Sequence, residues 1–204
     1  MKDWFYLKKF ELFNWWTFDG EVETYYLDDS ITVISGDNGS GKSTVVDALV
    51  SLLVPNQSRK YNLSATDWSN KKSRSEITYV RWAYKNKETD DGIEIAYLRW
   101  NQIWISTYSV VLWYFRDESN GREITLATFF KTTQANEIDK FFIISWQELS
   151  IKTDFIQILN NQNVSSPTSR LKSFLISKID TKIYDKFIEY REDYSRKFGL
   201  KEMP

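Results

Sequence analysis

The segment Gly36-Asp37-Asn38-Gly39-Ser40-Gly41-Lys42-Ser43-Thr44 fits the pattern G-x-x-x-x-G-K-[S/T], and it constrains the fold more than any other part of the chain. Its glycines let the backbone reach positive φ and leave no side chain in the way, so successive N–H groups can point into one concavity. Such a loop needs a strand to deliver it and a helix to leave it. Ile31-Thr32-Val33-Ile34-Ser35 is a β-branched run that predicts a buried strand. From Ser43 to Leu53, the residues Val45, Val46, Leu49, Leu52 and Leu53 recur at helical spacing, and Pro55 stops the helix.

A strand, a glycine loop and a helix in that order imply phosphate chemistry. The expected ligands are ATP and Mg²⁺, held by Gly36, Asp37, Asn38, Gly39, Ser40, Gly41, Lys42, Ser43 and Thr44. Lys42 would reach the β- and γ-phosphates as a point charge and the Ser43 hydroxyl would coordinate the metal. Thr44 would hydrogen-bond from the first helical turn, and the helix adds its positive end to the site.

Composition excludes more than it selects. With 204 residues and 42% hydrophobic content the chain can bury one core. The absence of Cys removes disulfides, thiolate metal sites and a cysteine nucleophile, and fits a cytoplasmic protein. The absence of His removes Ser-His-Asp triads, imidazole zinc sites and imidazole acid/base catalysis. A net charge of -1 supplies no global field toward DNA or an acidic membrane, so any nucleic-acid contact is local or shared. Neither a signal peptide nor an apolar run of about 18 residues occurs, so no membrane association is expected. The 13 Phe, 12 Tyr and 9 Trp read as strand aromatics rather than base-stacking platforms.

Along the chain, a β hairpin is expected over 4–27, with strands Phe5–Phe18 and Glu21–Leu27 turning at Asp19-Gly20. The phosphate-loop strand and helix occupy 31–54. A polar stretch over 55–75 carries Arg59, Lys60, Lys71, Lys72 and Arg74, which suits a solvated loop or a basic loop closing over nucleotide or touching DNA phosphates. A helical piece at Ile77–Tyr84 leads to a β meander over 93–146, with strands Ile93–Trp100, Trp104–Phe115, Ile124–Phe130 and Phe141–Trp146. Helices fill 153–199. Pro167 opens one with Leu171, Phe174 and Leu175, and Ile183, Phe187, Tyr190 and Tyr194 form an amphipathic stripe.

Hydrolysis also needs an acidic pair at the end of an apolar strand, one residue on Mg²⁺ and one to orient water. The candidate is Asp117 with Glu118 after Leu112-Trp113-Tyr114-Phe115-Arg116. Arg116 intrudes, and Ser119-Asn120-Gly121 marks a hairpin turn there. No Ser-Gly-Gly signature loop occurs.

These features together resemble the amino-terminal head segment of SMC-like ATPases. The resemblance rests on Phe13-Asn14-Trp15-Trp16-Thr17-Phe18-Asp19-Gly20, on the phosphate loop running into Val45-Val46-Asp47-Ala48-Leu49, and on Leu53-Val54-Pro55. It extends through Tyr61-Asn62, Tyr79-Val80, Tyr108 to Leu112, Ile124 to Ala127, and Tyr190 with Phe198-Gly199-Leu200. Within the group it looks closest to the large ATPase subunit (JetC-like) of Wadjet, or Mks-type, bacterial condensins, relatives of MukB.

The resemblance implies an α/β fold of the ABC/SMC type, the amino-terminal half of a P-loop ATPase head, with a mixed sheet, an antiparallel meander and carboxy-terminal helices leading to a coiled coil. It implies that the acidic strand and signature motif come from a carboxy-terminal lobe, and that a second head shares the ATP, with Asn38 and Ser40 facing it. Kleisin and accessory subunits, and DNA bound through the complex, follow from the same likeness, as do DNA loop extrusion and plasmid restriction. Arg74, or less favourably Arg59, would be the basic residue at the nucleotide. Neither Gln134 nor Gln147 is assigned as a magnesium sensor, and Trp16 stands where that family more usually has a small residue. Two other classes remain open from sequence: a self-contained NTPase or phosphotransferase using Asp117 or Glu118, and a non-catalytic ATP-dependent adaptor.

Overall fold

The computed structural model describes residues 4–29, 31–55, 58–59, 61, 75–89, 92–99, 107–133, 137–160 and 167–199. Six strands form one antiparallel sheet: β1 (Tyr6–Trp15), β2 (Phe18–Tyr26), β5 (Tyr108–Asp117), β6 (Arg122–Thr132), β7 (Ile138–Ser145) and β8 (Thr181–Tyr184). Their order is β2-β1-β5-β6-β7-β8. Between β2 and β5 the chain makes one excursion. It holds the phosphate loop, α1 (Lys42–Leu53), α2 (Glu76–Val80) and a separate two-stranded sheet of β3 (Ala83–Thr89) and β4 (Gly92–Tyr97). A π-helical turn (Lys152–Ile156) runs into α3 (Gln157–Leu159), and α4 (Pro167–Ser177) and α5 (Phe187–Lys197) flank β8.

Both sheet faces are apolar because the central strands alternate two hydrophobic sets rather than one hydrophobic and one polar set. On one face Phe10, Leu12, Trp15, Val111, Trp113, Leu126, Phe142 and Ile144 pack with Val45, Ala48 and Leu52 of α1, Tyr79 and Val80 of α2, and Tyr190 and Tyr194 of α5. On the other, Phe13, Val110, Leu112, Ala127, Phe129, Phe141 and Ile143 pack with Phe155 of the π turn and Leu171 and Leu175 of α4. The sheet is therefore the middle layer of three, and most of the aromatic residues are spent on its two cores.

One buried ion pair interrupts the second core. Lys9 and Glu11 project from β1 on that face, with Nζ 3.1 Å from Oε1. Lys9 donates to Glu148 (2.6 Å) and to the Leu149 carbonyl (3.1 Å), while Glu11 accepts the Ile151 amide at 2.5 Å. Burial opposes the lysine charge, but the Glu148 hydrogen bond and the Glu11 carboxylate outweigh it and hold Lys9 above its ordinary range. The pair thus fixes the start of the π turn over the sheet.

Four expectations change. The first hairpin turns at Trp16-Thr17, because Trp15 pairs with Phe18 and Asp19-Gly20 lie inside β2. Gly20, at φ 77, serves the irregularity between Phe13 and Trp15, where its amide donates to Asn14 Oδ1 at 2.9 Å. The Ile31–Ser35 run forms no strand and is exposed, Ile31 to 82% and Val33 to 79%. Its β propensity needs a ladder partner, and none of the described strands lies beside it. Ile183 belongs to β8, opposite Ile143, so the helical stripe of α5 is Phe187, Tyr190 and Tyr194. The meander is β5-β6-β7, since β4 pairs only with β3.

Candidate nucleotide-binding site

The phosphate loop reaches its shape through three glycines at positive φ: Gly36 at 155, Gly39 at 88 and Gly41 at 93. A Cβ on Gly36 would stand 2.7 Å from Ser40 Oγ, inside the loop itself. The Ser40 amide closes the turn onto the Asp37 carbonyl at 3.2 Å. Lys42 folds into the bend, its Nζ donating to the carbonyls of Gly36 (2.5 Å) and Asp37 (2.8 Å). The ammonium therefore occupies the mouth of the loop, ahead of the helix it begins.

Gly41 is the N-cap of α1, with no side-chain cap and no acid in the first turn. The leading amides of a 12-residue helix thus meet no carboxylate of their own, and the helix presents its positive end to whatever the loop holds. Ser43 is half-buried and Thr44 buried in that turn. This donor set fits a nucleoside triphosphate: a backbone cradle that a Cβ would fill, the Lys42 ammonium, and a hydroxyl at the Mg²⁺ position of the motif. Mg²⁺ would neutralise the phosphates when bound, and this chain would supply Ser43 as one ligand.

What carries the loop is the first hairpin. A Cβ on Gly41 would stand 3.2 Å from Phe18 Cζ and 3.5 Å from Thr17 Oγ1, so the hairpin turn abuts the last glycine of the loop. Trp16 takes φ 53, donates its amide to the Tyr79 carbonyl at 2.9 Å and tilts its ring on Tyr79 at 5.2 Å, which accommodates the large residue. Behind it Tyr79 stacks on Trp15 at 4.8 Å and donates its hydroxyl to the buried Asp47 of α1. Val46, counted with the apolar set of α1, is 55% exposed.

Among the described residues, the candidates Asp117, Glu118, Arg59 and Gln147 are not brought to the loop. Asp117 sits beside Arg116, which pairs with Tyr6 at the far end of β1. Tyr6 and Trp15 are the two ends of the 10-residue β1, a span of about 25 Å or more. There Asp117 is buried and accepts the Ser119 hydroxyl (2.6 Å), the Ser119 amide (2.9 Å) and Asn120 (3.0 Å). These bonds, the Ser119 hydroxyl foremost, lower its pKa below the usual carboxylate range. It is the turn residue of the β5–β6 hairpin, and Glu118 is exposed and salt-bridged to Lys8 at 2.5 Å.

Arg59 is buried at the opposite end of α1, donating to the carbonyls of Ser51 and Val54 and paired with Glu76. A helix of 12 residues sets it about 18 Å from the loop. Gln147 donates to the Ile179 carbonyl at 2.9 Å, beyond the end of β7. Arg74, Gln134 and most of the 55–75 basic stretch lie outside the described residues.

Sequence reasoning missed Arg99. Its guanidinium donates to the carbonyls of Asn14 (2.6 Å), Trp16 (2.6 Å), Phe18 (2.9 Å), Val80 (3.1 Å) and Tyr79 (3.3 Å), and pairs with Asp19. Nothing in its local sequence marks it, because its partners, five backbone oxygens and the Asp19 carboxylate, are distant in the chain.

Two open concavities lie elsewhere. One of about 460 Å³ is lined by Arg122, Trp146, Asp180, Arg196 and Lys197, and one of about 210 Å³ includes Lys8, Arg116 and Glu118. Neither contains a phosphate-loop residue.

The family model described as the P-loop containing region of AAA domain matches residues 7–68, which span the first hairpin, the phosphate loop and α1. No curated protein matches. Among solved structures the chain is similar to one described as "Structural biochemistry of ATP-driven dimerization and DNA stimulated activation of SMC ATPases". That likeness has 15% identity and a TM-score of 0.41, covering 92% of this chain and 96% of the other.

Proposed function

We propose that this chain is the ATP-binding half of a composite ATPase head, with Lys42 and Ser43 holding MgATP and the acidic and signature elements supplied by another lobe. The observation that carries the reading is the phosphate loop itself: a glycine cradle with Lys42 at its mouth and the uncapped end of α1 behind it. Two further features support the composite form. The β-branched run feeding the loop is exposed and without a strand beside it among the described residues, as a strand awaiting a ladder would be. The acids on this chain that sequence offered for catalysis, Asp117 and Glu118, are committed to a distant turn.

The sequence resemblance extends this to an SMC-like head of the Wadjet, MukB-related type. ATP would then be sandwiched with a second head, and kleisin and accessory subunits would couple it to DNA loop extrusion or plasmid restriction. Contact with DNA would draw on local positive charge, for which the concavity of Arg122, Arg196 and Lys197 is one described surface.

The test is MgATP binding and turnover by the 204-residue chain, alone and with a carboxy-terminal head lobe supplied separately. Binding without turnover, lost in Lys42→Ala and accompanied by turnover only when the second lobe is added, is the expected result. Robust hydrolysis by the chain alone, abolished in Lys42→Ala, would overturn it.

A further inference from the structure

We infer that Arg99 is a positioning residue for the phosphate loop, acting through the turn of the first hairpin. This rests on reading the loop as a nucleotide site, and deepens it by naming what holds the loop in shape.

Asn14, Trp16 and Trp82 all take positive φ, near 52 to 53. L-residues adopt that conformation only at a cost, so it persists where the surroundings hold it. Backbone twisted in this way also turns carbonyls out of the sheet ladder, and buried carbonyls require donors. Arg99 supplies them. Its planar fork reaches the oxygens of Asn14, Trp16 and Phe18 on the turn and of Tyr79 and Val80 at the end of α2, a set that lysine could not bridge at once.

Arg99 is itself anchored. Its amide donates to the Arg81 carbonyl at 2.9 Å, that of Leu98 donates to Trp82 at 3.0 Å, and the Trp82 ring lies 5.4 Å from the guanidinium. These bonds continue the base of the β3–β4 ladder. Burial disfavours the charge and Asp19 restores part of what burial removes. A charge is spent here on ordering a turn rather than on a ligand.

The turn in turn sets the loop. Phe18 and Thr17 stand against Gly41, and Gly41 is the hinge between the cradle and α1. Losing the guanidinium removes one donor from each of the five carbonyls, of which Asn14 keeps the Ser109 hydroxyl and Tyr79 keeps the Trp16 amide; a loosened turn no longer fixes where the amides of Ser40, Gly41 and Lys42 point. The β3–β4 sheet is thereby connected to the nucleotide site through one side chain.

The experiment compares Arg99→Lys and Phe18→Leu with the parent chain. Phe18→Leu leaves the clamp intact and removes only the ring at Gly41, so it serves where Arg99→Lys fails to fold. Two readouts are taken below the melting temperature of each variant: amide hydrogen exchange at Ser40 to Lys42 without nucleotide, and MgATP affinity. Faster exchange at those amides, with MgATP binding weaker by on the order of tenfold, is expected, the low end of what losing an outer support costs a bound ion. Unchanged exchange in a folded variant would overturn the inference, even where its melting temperature falls. The exchange arm needs no nucleotide. A parent chain that binds no MgATP would therefore defeat the functional reading while leaving the positioning role to be decided by exchange.

Discussion

Phe18 and Gly41 meet where the first hairpin touches the phosphate loop, close enough that a methyl on Gly41 would stand 3.2 Å from Phe18 Cζ at a φ of +93. Gly41→Ala therefore faces two penalties, about 1–2 kcal/mol for a left-handed residue and the displacement of the ring. Gly39, at φ +88, has nothing within 4 Å of its Cβ position and faces only the first. Chemical denaturation of the two variants should rank Gly41→Ala as the more destabilised. Equal losses would show the Phe18 contact to be immaterial.

The two buried tyrosines of α5 should behave oppositely. Tyr194 donates its hydroxyl to the Leu53 carbonyl at 2.9 Å, tying α5 to the end of α1, whereas the Tyr190 hydroxyl is buried without a hydrogen-bond partner among the described residues. Tyr194→Phe should cost about 1 kcal/mol in urea denaturation, and Tyr190→Phe should be neutral or stabilising. A large loss from Tyr190→Phe would reveal a partner for that hydroxyl.

Glu76 pairs with two cations, Arg59 and Lys140, the latter at 2.7 Å to each carboxylate oxygen. Burial lowers the Lys140 pKa and Glu76 opposes the shift. Removing the carboxylate charge in Glu76→Gln should cost about 3–5 kcal/mol, because it strands buried charge. MgATP affinity of the folded fraction should be unchanged, since the cluster lies at the far end of α1 from the loop. Weaker binding at unchanged stability would contradict this placement.

Asp117 offers a pH test. Its pKa is lowered in the folded chain, so its contribution is complete above the unfolded carboxylate value near 4. It is lost as pH falls through the lower folded value. Urea midpoints between pH 2 and 6 should fall less steeply in Asp117→Asn than in the parent. At pH 7 the same variant should bind MgATP as the parent does. A binding defect there would return Asp117 to the nucleotide site.

Legibility followed the range of the forces involved. The phosphate loop, α1 and its stop before Pro55, and the β5–β6 turn at Asn120-Gly121 were readable because each is set by a few adjacent residues. The first turn was misplaced because Gly20 answers a bulge on the neighbouring strand. Ile31–Ser35 was misread because propensity cannot supply a ladder partner. Lys9, Glu11 and Arg99 carry no local mark in the sequence, and only packing shows their side chains buried.

The sequence by itself determined that a phosphate cradle exists, since glycine spacing and one lysine need no distant partner to bend a loop. Only the tertiary structure decided what stands behind that cradle. A hairpin turn, an arginine from another sheet and a tyrosine on α2 converge there through backbone carbonyls, which every residue type carries and no sequence pattern reveals.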